Sequence, residues 1–177
     1  MSKHVVLTVF GSLGDLHPMI ALALGLQARG HRVTIATNSF HREKIESEGI
    51  AYHRIRPEFP LDDPAFFANI LHRASGPEAL VRKHMLPGIG DMLDDLLPLL
   101  ETADFLVNST LVYAGPLAAR KLELPWAAVV LAPMSFFSVH DPPIFPNLLA
   151  SEQIHKLGPR VAKWMAAAAA KTARRGR

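Results

Sequence analysis

No cysteine occurs among the 177 residues. That excludes disulfide frameworks and thiolate metal sites, and it fits a reducing cytoplasm, the location expected here. Strong charge of one sign is also lacking: net charge is +3, and part of the small basic excess sits in the tail KTARRGR. A terminal basic run of that kind is solvated, so a nucleic-acid partner is not expected. No apolar run is long enough to cross a bilayer, because the longest candidates carry Pro, Gly or charge. The first residues, MSKHVVLTVF, enter a strand pattern at once, and a secretory signal is not expected. Nine histidines are present, yet neither H-E-x-x-H nor any short His–carboxylate ligand set occurs, so no metal is expected. His41, His53, His72, His84 and His155 are scattered and read as surface or partly buried side chains.

What is present has the composition of a folded domain, with 49% apolar and 20% charged residues. HVVLTVF (residues 4–10) is β-branched and apolar without alternation, the mark of a strand covered on both faces. A glycine loop follows. Pro18 then reads as the first residue of a helix that Gly30 closes. HRVTIAT is a second strand, SFHREKIESEG a polar helix and IAYHRIR a third strand stopped by Pro57. Residues 57–75 read as an irregular excursion with one short helix. GPEALVRKHMLPGIGDMLDDLLPLLET reads as one helix broken near Pro87 or two in series, with Asp91, Asp94 and Asp95 on a solvated face. ADFLVNST is a fourth strand, YAGPLAARKLEL a helix and PWAAVVLAP a fifth strand; the chain then loosens, and a last helix begins near Ser151. The expected fold is α/β: a doubly wound, Rossmann-like parallel sheet of order 3-2-1-4-5, with room for extra strands. Residues 1–164 form the domain, and 165–177 an Ala-rich basic tail, frayed or a linker.

In such sheets ligands sit beyond the carboxyl ends of the strands, at the switch point between the first and fourth. Three polar stretches converge there: Gly11–His17, Asn108–Thr110 and Met134–His140. The glycine loop is no dinucleotide fingerprint. Its spacing is G-S-L-G-D instead of G-x-G-x-x-G, the second strand ends in IATNS without an acid, and no G-x-x-x-x-G-K-[ST] occurs. Asp15 stands just before the expected helix, where the positive end of the helix dipole favours a carboxylate. It reads either as a base or as a helix cap, and His17 as a further N-cap candidate. His140, beside Asp141, faces the expected site as a ligand contact or is a plain loop residue. Phe66, Phe67, Phe136, Phe137 and Phe145 either line a cleft for a hydrophobic ligand or pin their loops down.

The stretch G-S-x-G-D-x-x-P-x-x-A-L-A-x-x-L-x-x-x-G-H-x-V-T, with Gly11, Ser12, Gly14, Asp15, Pro18, Ala21, Leu22, Ala23, Leu26, Gly30, His31 and Val33 in place, resembles the amino-terminal domain of GT-B glycosyltransferases. It is most similar to the family 28 branch with sterol glucosyltransferases, glycopeptide glycosyltransferases and rhamnosyltransferases. A second patch, Pro133–Pro146, is similar to the loop after the fifth strand in rhamnosyltransferase-like members. The resemblance implies one half of a GT-B fold and transfer of a hexose, with inversion, from a nucleotide sugar to a hydroxyl of a hydrophobic small molecule or lipid. It makes Asp15 the base, where plant relatives place a His oriented by an Asp; that Asp position aligns with Ser109 here, a departure.

By the same resemblance, Gly11, Ser12 and Gly14 let backbone approach acceptor and donor phosphates, and His17, Ser109, Thr110, Ser135 and His140 contact the acceptor. No tightly bound cofactor and no metal are implied. A carboxyl-terminal donor-binding domain is, and without it the chain is expected to have little or no activity. Peripheral membrane contact and a homodimer stay open. The alternative is a non-catalytic binding module or partner subunit that keeps the fold. One geometry discriminates: an Asp15 carboxylate folded onto its own amides and remote from any cleft would leave only a fold.

Overall fold

Five parallel strands carry the architecture of the computed structural model: β1 (His4–Thr8), β2 (Arg32–Thr37), β3 (Ala51–Arg54), β4 (Phe105–Ser109) and β5 (Trp126–Val129). Their spatial order is β3-β2-β1-β4-β5, the doubly wound order expected from the sequence. The structure describes residues 1–60, 62–70, 72 and 76–131, all within the first of the chain's two units, Met1–Leu131. The last helix, the loosened segment, the 164/165 boundary, Ser135, Phe136, Phe137, His140, Phe145 and His155 lie outside the described residues, as does the side chain of Phe67.

The register pairs Thr8 with both Ala36 and Asn108, so β1 is central and every one of its residues is buried. Its side chains alternate between two cores. Val5, Leu7 and Val9 meet Leu16, Met19, Ile20 and Ala23 of α1 (Leu13–Gln27) and Ile45 of α2 (Arg42–Ser47). Val6 and Phe10 face the other way, toward Met92, Leu96 and Leu100 of α5 (Ile89–Leu100) and Ala114, Ala118 and Ala119 of α6 (Ala114–Lys121). Two covered faces explain the unbroken apolar run that identified the strand.

Helix α1 begins five residues before the expected start at Pro18. Ser12 is its N-cap: the hydroxyl accepts from the Gly14 N–H (3.2 Å), and the Asp15 carboxylate accepts from the Ser12 N–H (2.9 Å). This reciprocal capping box fixes the helix start and excludes His17 as the cap. Pro18 therefore lies inside the helix, where it forgoes one backbone hydrogen bond.

The excursion after β3 holds α3 (Pro64–Ile70). The long helical segment divides, as two helices in series, into α4 (Gly76–Ala79), a π-helical turn (Leu80–Met85) and α5, with Pro87 in the intervening turn. Phe66 is buried, stacked on Phe59 at 6.0 Å, and Phe59 meets Phe10 edge-on at 5.6 Å. Phe66 thus anchors its segment to the core, the second of the two roles expected for it. The acidic face of α5 is only partly solvated, because Asp95 is half-buried under Arg56, whose guanidinium bonds both carboxylate oxygens at 2.7 and 2.9 Å. Local periodicity could not reveal that cation, 39 residues away in sequence.

Candidate functional site

At the carboxyl edge of the sheet, three chain segments leave adjacent strands side by side. They are the turn after β1 (residues 9–12), the turn after β2 (Asn38 and the 3-10 turn Ser39–His41), and Ser109–Thr110 at the end of β4. The β1/β4 pair is stitched by Thr8, whose hydroxyl donates to Asn108 Oδ1 at 2.8 Å. The Asn108 amide donates in turn to the carbonyls of Ser109 (2.8 Å) and Val112 (3.1 Å). A Cβ on Gly115 would lie 1.7 Å from Asn108 Oδ1, so the first turn of α6 packs directly on this amide. Asn108 is fully used in holding the fold.

Asp15 folds back on the first turn of α1. Its Oδ2 accepts from the Ser12 N–H and, at 3.3 Å, from the Ser12 hydroxyl. Oδ1 has no hydrogen-bond partner among the described residues. The capping geometry is therefore realised, with Oδ2 committed to the turn. Gly11 makes this fold-back feasible. Its φ of +138° is foreign to other residues, and a Cβ there would stand 2.1 Å from Asp15 Oδ2. The amides of Ser12, Gly14 and Asp15 are all bonded within the turn. A phosphate at this helix start would stand beside the Asp15 carboxylate.

The other sequence candidates separate. Ser109 is 3% exposed and its buried hydroxyl has no partner among the described residues, whereas Thr110 is exposed. His17 is exposed on α1 and shares with Leu13, Phe40, His41 and Lys44 the walls of a groove of about 400 Å³. Two residues along a helix turn the side chain by roughly 200°, which puts Asp15 on the face away from that groove. A second, apolar groove of about 360 Å³ borders Lys3, Leu22, Leu26, His31 and Asp104 at the opposite, amino end of the strands. Among the described residues no cluster of three or more His, Asp or Glu is arranged to hold a metal ion, and no helix is long and apolar enough to cross a membrane.

Three residues of this edge had no site role in the sequence, and His41, expected at the surface or partly buried, is instead fully buried. His41 is 2% exposed, and its Nε2 lies 2.9 Å from the Gly11 carbonyl. Asn38 is wholly buried, and neither its Oδ1 nor its Nδ2 finds a partner among the described residues. Glu58 accepts from the Ser39 N–H (2.8 Å) and hydroxyl (2.9 Å) and pairs with Arg54. Burial pushes the Glu58 carboxyl up, but these bonds outweigh it and hold the group below the ordinary value of 4.5. The only available signal was topological: parallel pairing of β1 with β2 brings residues 38–41 beside Gly11.

Residues 5–86 match the glycosyltransferase family 28 N-terminal domain. Among curated relatives, the sterol 3-beta-glucosyltransferase of Gibberella zeae is 32% identical over 129 residues, 71% of this chain and 9% of that protein. The solved glycotransferase of kitacinnamycin superposes with a TM-score of 0.57 at 22% identity, covering 74% of this chain and 31% of the other. A Streptomyces glycosyltransferase complexed with thymidine diphosphate gives 0.57 at 20% identity, covering 72% and 38%. At such identities the solved structures speak to the fold alone. The chain spans about a tenth of the length of the curated relatives it matches.

Proposed function

We propose, from the match of residues 5–86 to the glycosyltransferase family 28 N-terminal domain and from the parallel sheet that carries it, that this chain is the acceptor-binding half of a nucleotide-sugar-dependent glycosyltransferase with a GT-B fold. The acceptor is a hydroxyl on a hydrophobic molecule of sterol or lipid type, as the relatives' names indicate. The donor is a nucleotide sugar, held mainly by a second α/β domain outside residues 1–177. Transfer proceeds with inversion, and the acceptor proton leaves to Asp15 through Oδ1, while Oδ2 stays in the cap. Ser109 and Thr110 border the acceptor from the end of β4, and His17, Ser135 and His140 are further contacts. Gly11 and Gly14 keep the turn free of side chains. Domain 1–164, a cytoplasmic location and the absence of a tightly bound cofactor or metal belong to the same reading.

One observation carries it: the segment matching the family places its glycine turn and Asp15 at the β1 end of the sheet's switch point. The test is a transferase assay on the protein containing this chain, with a sterol acceptor and a UDP-sugar. Asp15→Asn is expected to slow turnover by about 10²-fold or more with acceptor KM little changed. Normal turnover in that variant removes Asp15 as base. A second reading has its own observation, the complete internal use of the Ser12, Gly14 and Asp15 amides and of Asp15 Oδ2. A binding module without catalysis is the result if the whole protein binds a sterol but transfers no sugar.

A further inference from the structure

The Gly11–Ser12 peptide is gripped at both ends. Its carbonyl lies 2.9 Å from His41 Nε2, and its N–H donates to Asp15 Oδ2 at 2.9 Å. A carbonyl oxygen only accepts, so Nε2 carries a hydrogen, which fixes the tautomer of a neutral ring. Asp15 bears no hydrogen at the contact and takes the other end of the same planar amide. Hydrogen bonds in such a chain polarise one another: a donor on the carbonyl makes the N–H across the peptide a stronger donor.

His41 is well held for this work. It is 2% exposed and meets the Phe40 ring edge-on at 5.2 Å. It stands at the N-cap of α2 yet makes no side-chain bond to that helix. The imidazole is turned to the neighbouring strand's turn instead. Gly11 completes the arrangement, since any Cβ there would strike the Asp15 carboxylate.

We infer that His41 is a positioning residue for Asp15, acting through the Gly11–Ser12 peptide. The inference deepens the proposed function, because it gains catalytic meaning only where Asp15 takes a proton. In a transferase it would hold Oδ2 in place so that Oδ1 keeps one direction. His41 itself touches no substrate.

The test has a part that needs no reaction. In the 177-residue chain, the His41 ring-nitrogen resonances are expected to report a protonated Nε2 at neutral pH. The Ser12 amide proton is expected to exchange about fivefold faster in His41→Phe, the factor for one lost hydrogen bond of about 1 kcal/mol. His41→Gln, which keeps a donor, is expected to restore it. An unprotonated Nε2, or a Ser12 amide whose shift and exchange are the same in folded His41→Phe as in the parent, overturns the inference. Should His41→Phe not fold, the tautomer and His41→Gln still decide.

In the transferase containing this chain, His41→Phe is expected to lower kcat with acceptor KM unchanged, and to add nothing once Asp15→Asn is present. Loss in KM alone, or full additivity, overturns the positioning role. Normal turnover of Asp15→Asn removes the base assignment and leaves the Ser12 amide to judge His41 independently.

Discussion

Gly11 is the residue of the edge least open to change. Two independent constraints meet on it: a φ of +138° and a carboxylate oxygen 2.1 Å from where a Cβ would stand. Gly11→Ala is expected to cost about 1–3 kcal/mol and to release Asp15 from the cap. Denaturant unfolding measures the first effect and the Ser12 amide shift the second. Gly90 supplies the contrast. It lies in α5 at ordinary φ, and a Cβ there would meet nothing within 4 Å. Gly90→Ala is expected to stabilise by about 0.5–1 kcal/mol. Equal effects of the two substitutions would remove the special claim made for Gly11. Asn38 belongs to the same scale: its wholly buried amide has no partner among the described residues, an unusual state for a buried polar group beside the candidate site.

At the scale of elements, the Arg56–Asp95 pair fastens α5 to the residues after β3. The Arg56 backbone N–H and guanidinium both bond the Asp95 carboxylate, and a further guanidinium N–H reaches Asp91 at 2.9 Å. The Arg56 hydrogen bonds hold Asp95 below the ordinary carboxyl value of 3.8, more strongly than partial burial raises it. The folded protein therefore binds that proton less tightly than the unfolded chain. The stabilisation is full above the ordinary value and is lost as pH falls below it, through the lower folded value. Asp95→Asn is expected to be less stable than the parent at pH 7, with the difference shrinking as pH drops below about 3.8. Unfolding midpoints across that range measure it, and a constant difference would assign the loss to packing.

These elements also mark what sequence could and could not reveal. Strand existence and order were legible, because β1 and β4 are apolar runs covered on both faces and short joints enforce right-handed crossovers. The start of α1 was misplaced because Pro18 is a strong opening signal, while the Ser12–Asp15 capping box, which decides the matter, lies one turn upstream. Asp15 was visible as a residue of two roles, and the cap is the one the geometry displays. His41 and Arg56 were invisible in their actual roles, since their partners are 30 and 39 residues distant and meet only through the folded sheet.

For the whole molecule, the proposed division of labour has a physical basis in how this edge is wired. A diphosphate seeks free backbone N–H groups at a helix start, yet at α1 the Ser12, Gly14 and Asp15 amides are already bonded and a carboxylate stands among them. An alcohol asks for less at this turn: one acceptor oxygen, which Asp15 Oδ1 supplies while Oδ2 stays in the cap. The 177-residue chain is therefore expected to bind a sterol and not a nucleotide sugar. A ligand at a hundred times its Kd stabilises by about 2.7 kcal/mol, which in a domain of this size raises Tm by roughly 5–10 °C. Melting curves with a saturating sterol in mild detergent should move by that order, and those with millimolar UDP-sugar or thymidine diphosphate should not. If the nucleotide moves the curve and Asp15→Asn enlarges the shift, the phosphate site lies on α1 after all, and Asp15 is a gate on the donor instead of a base for the acceptor.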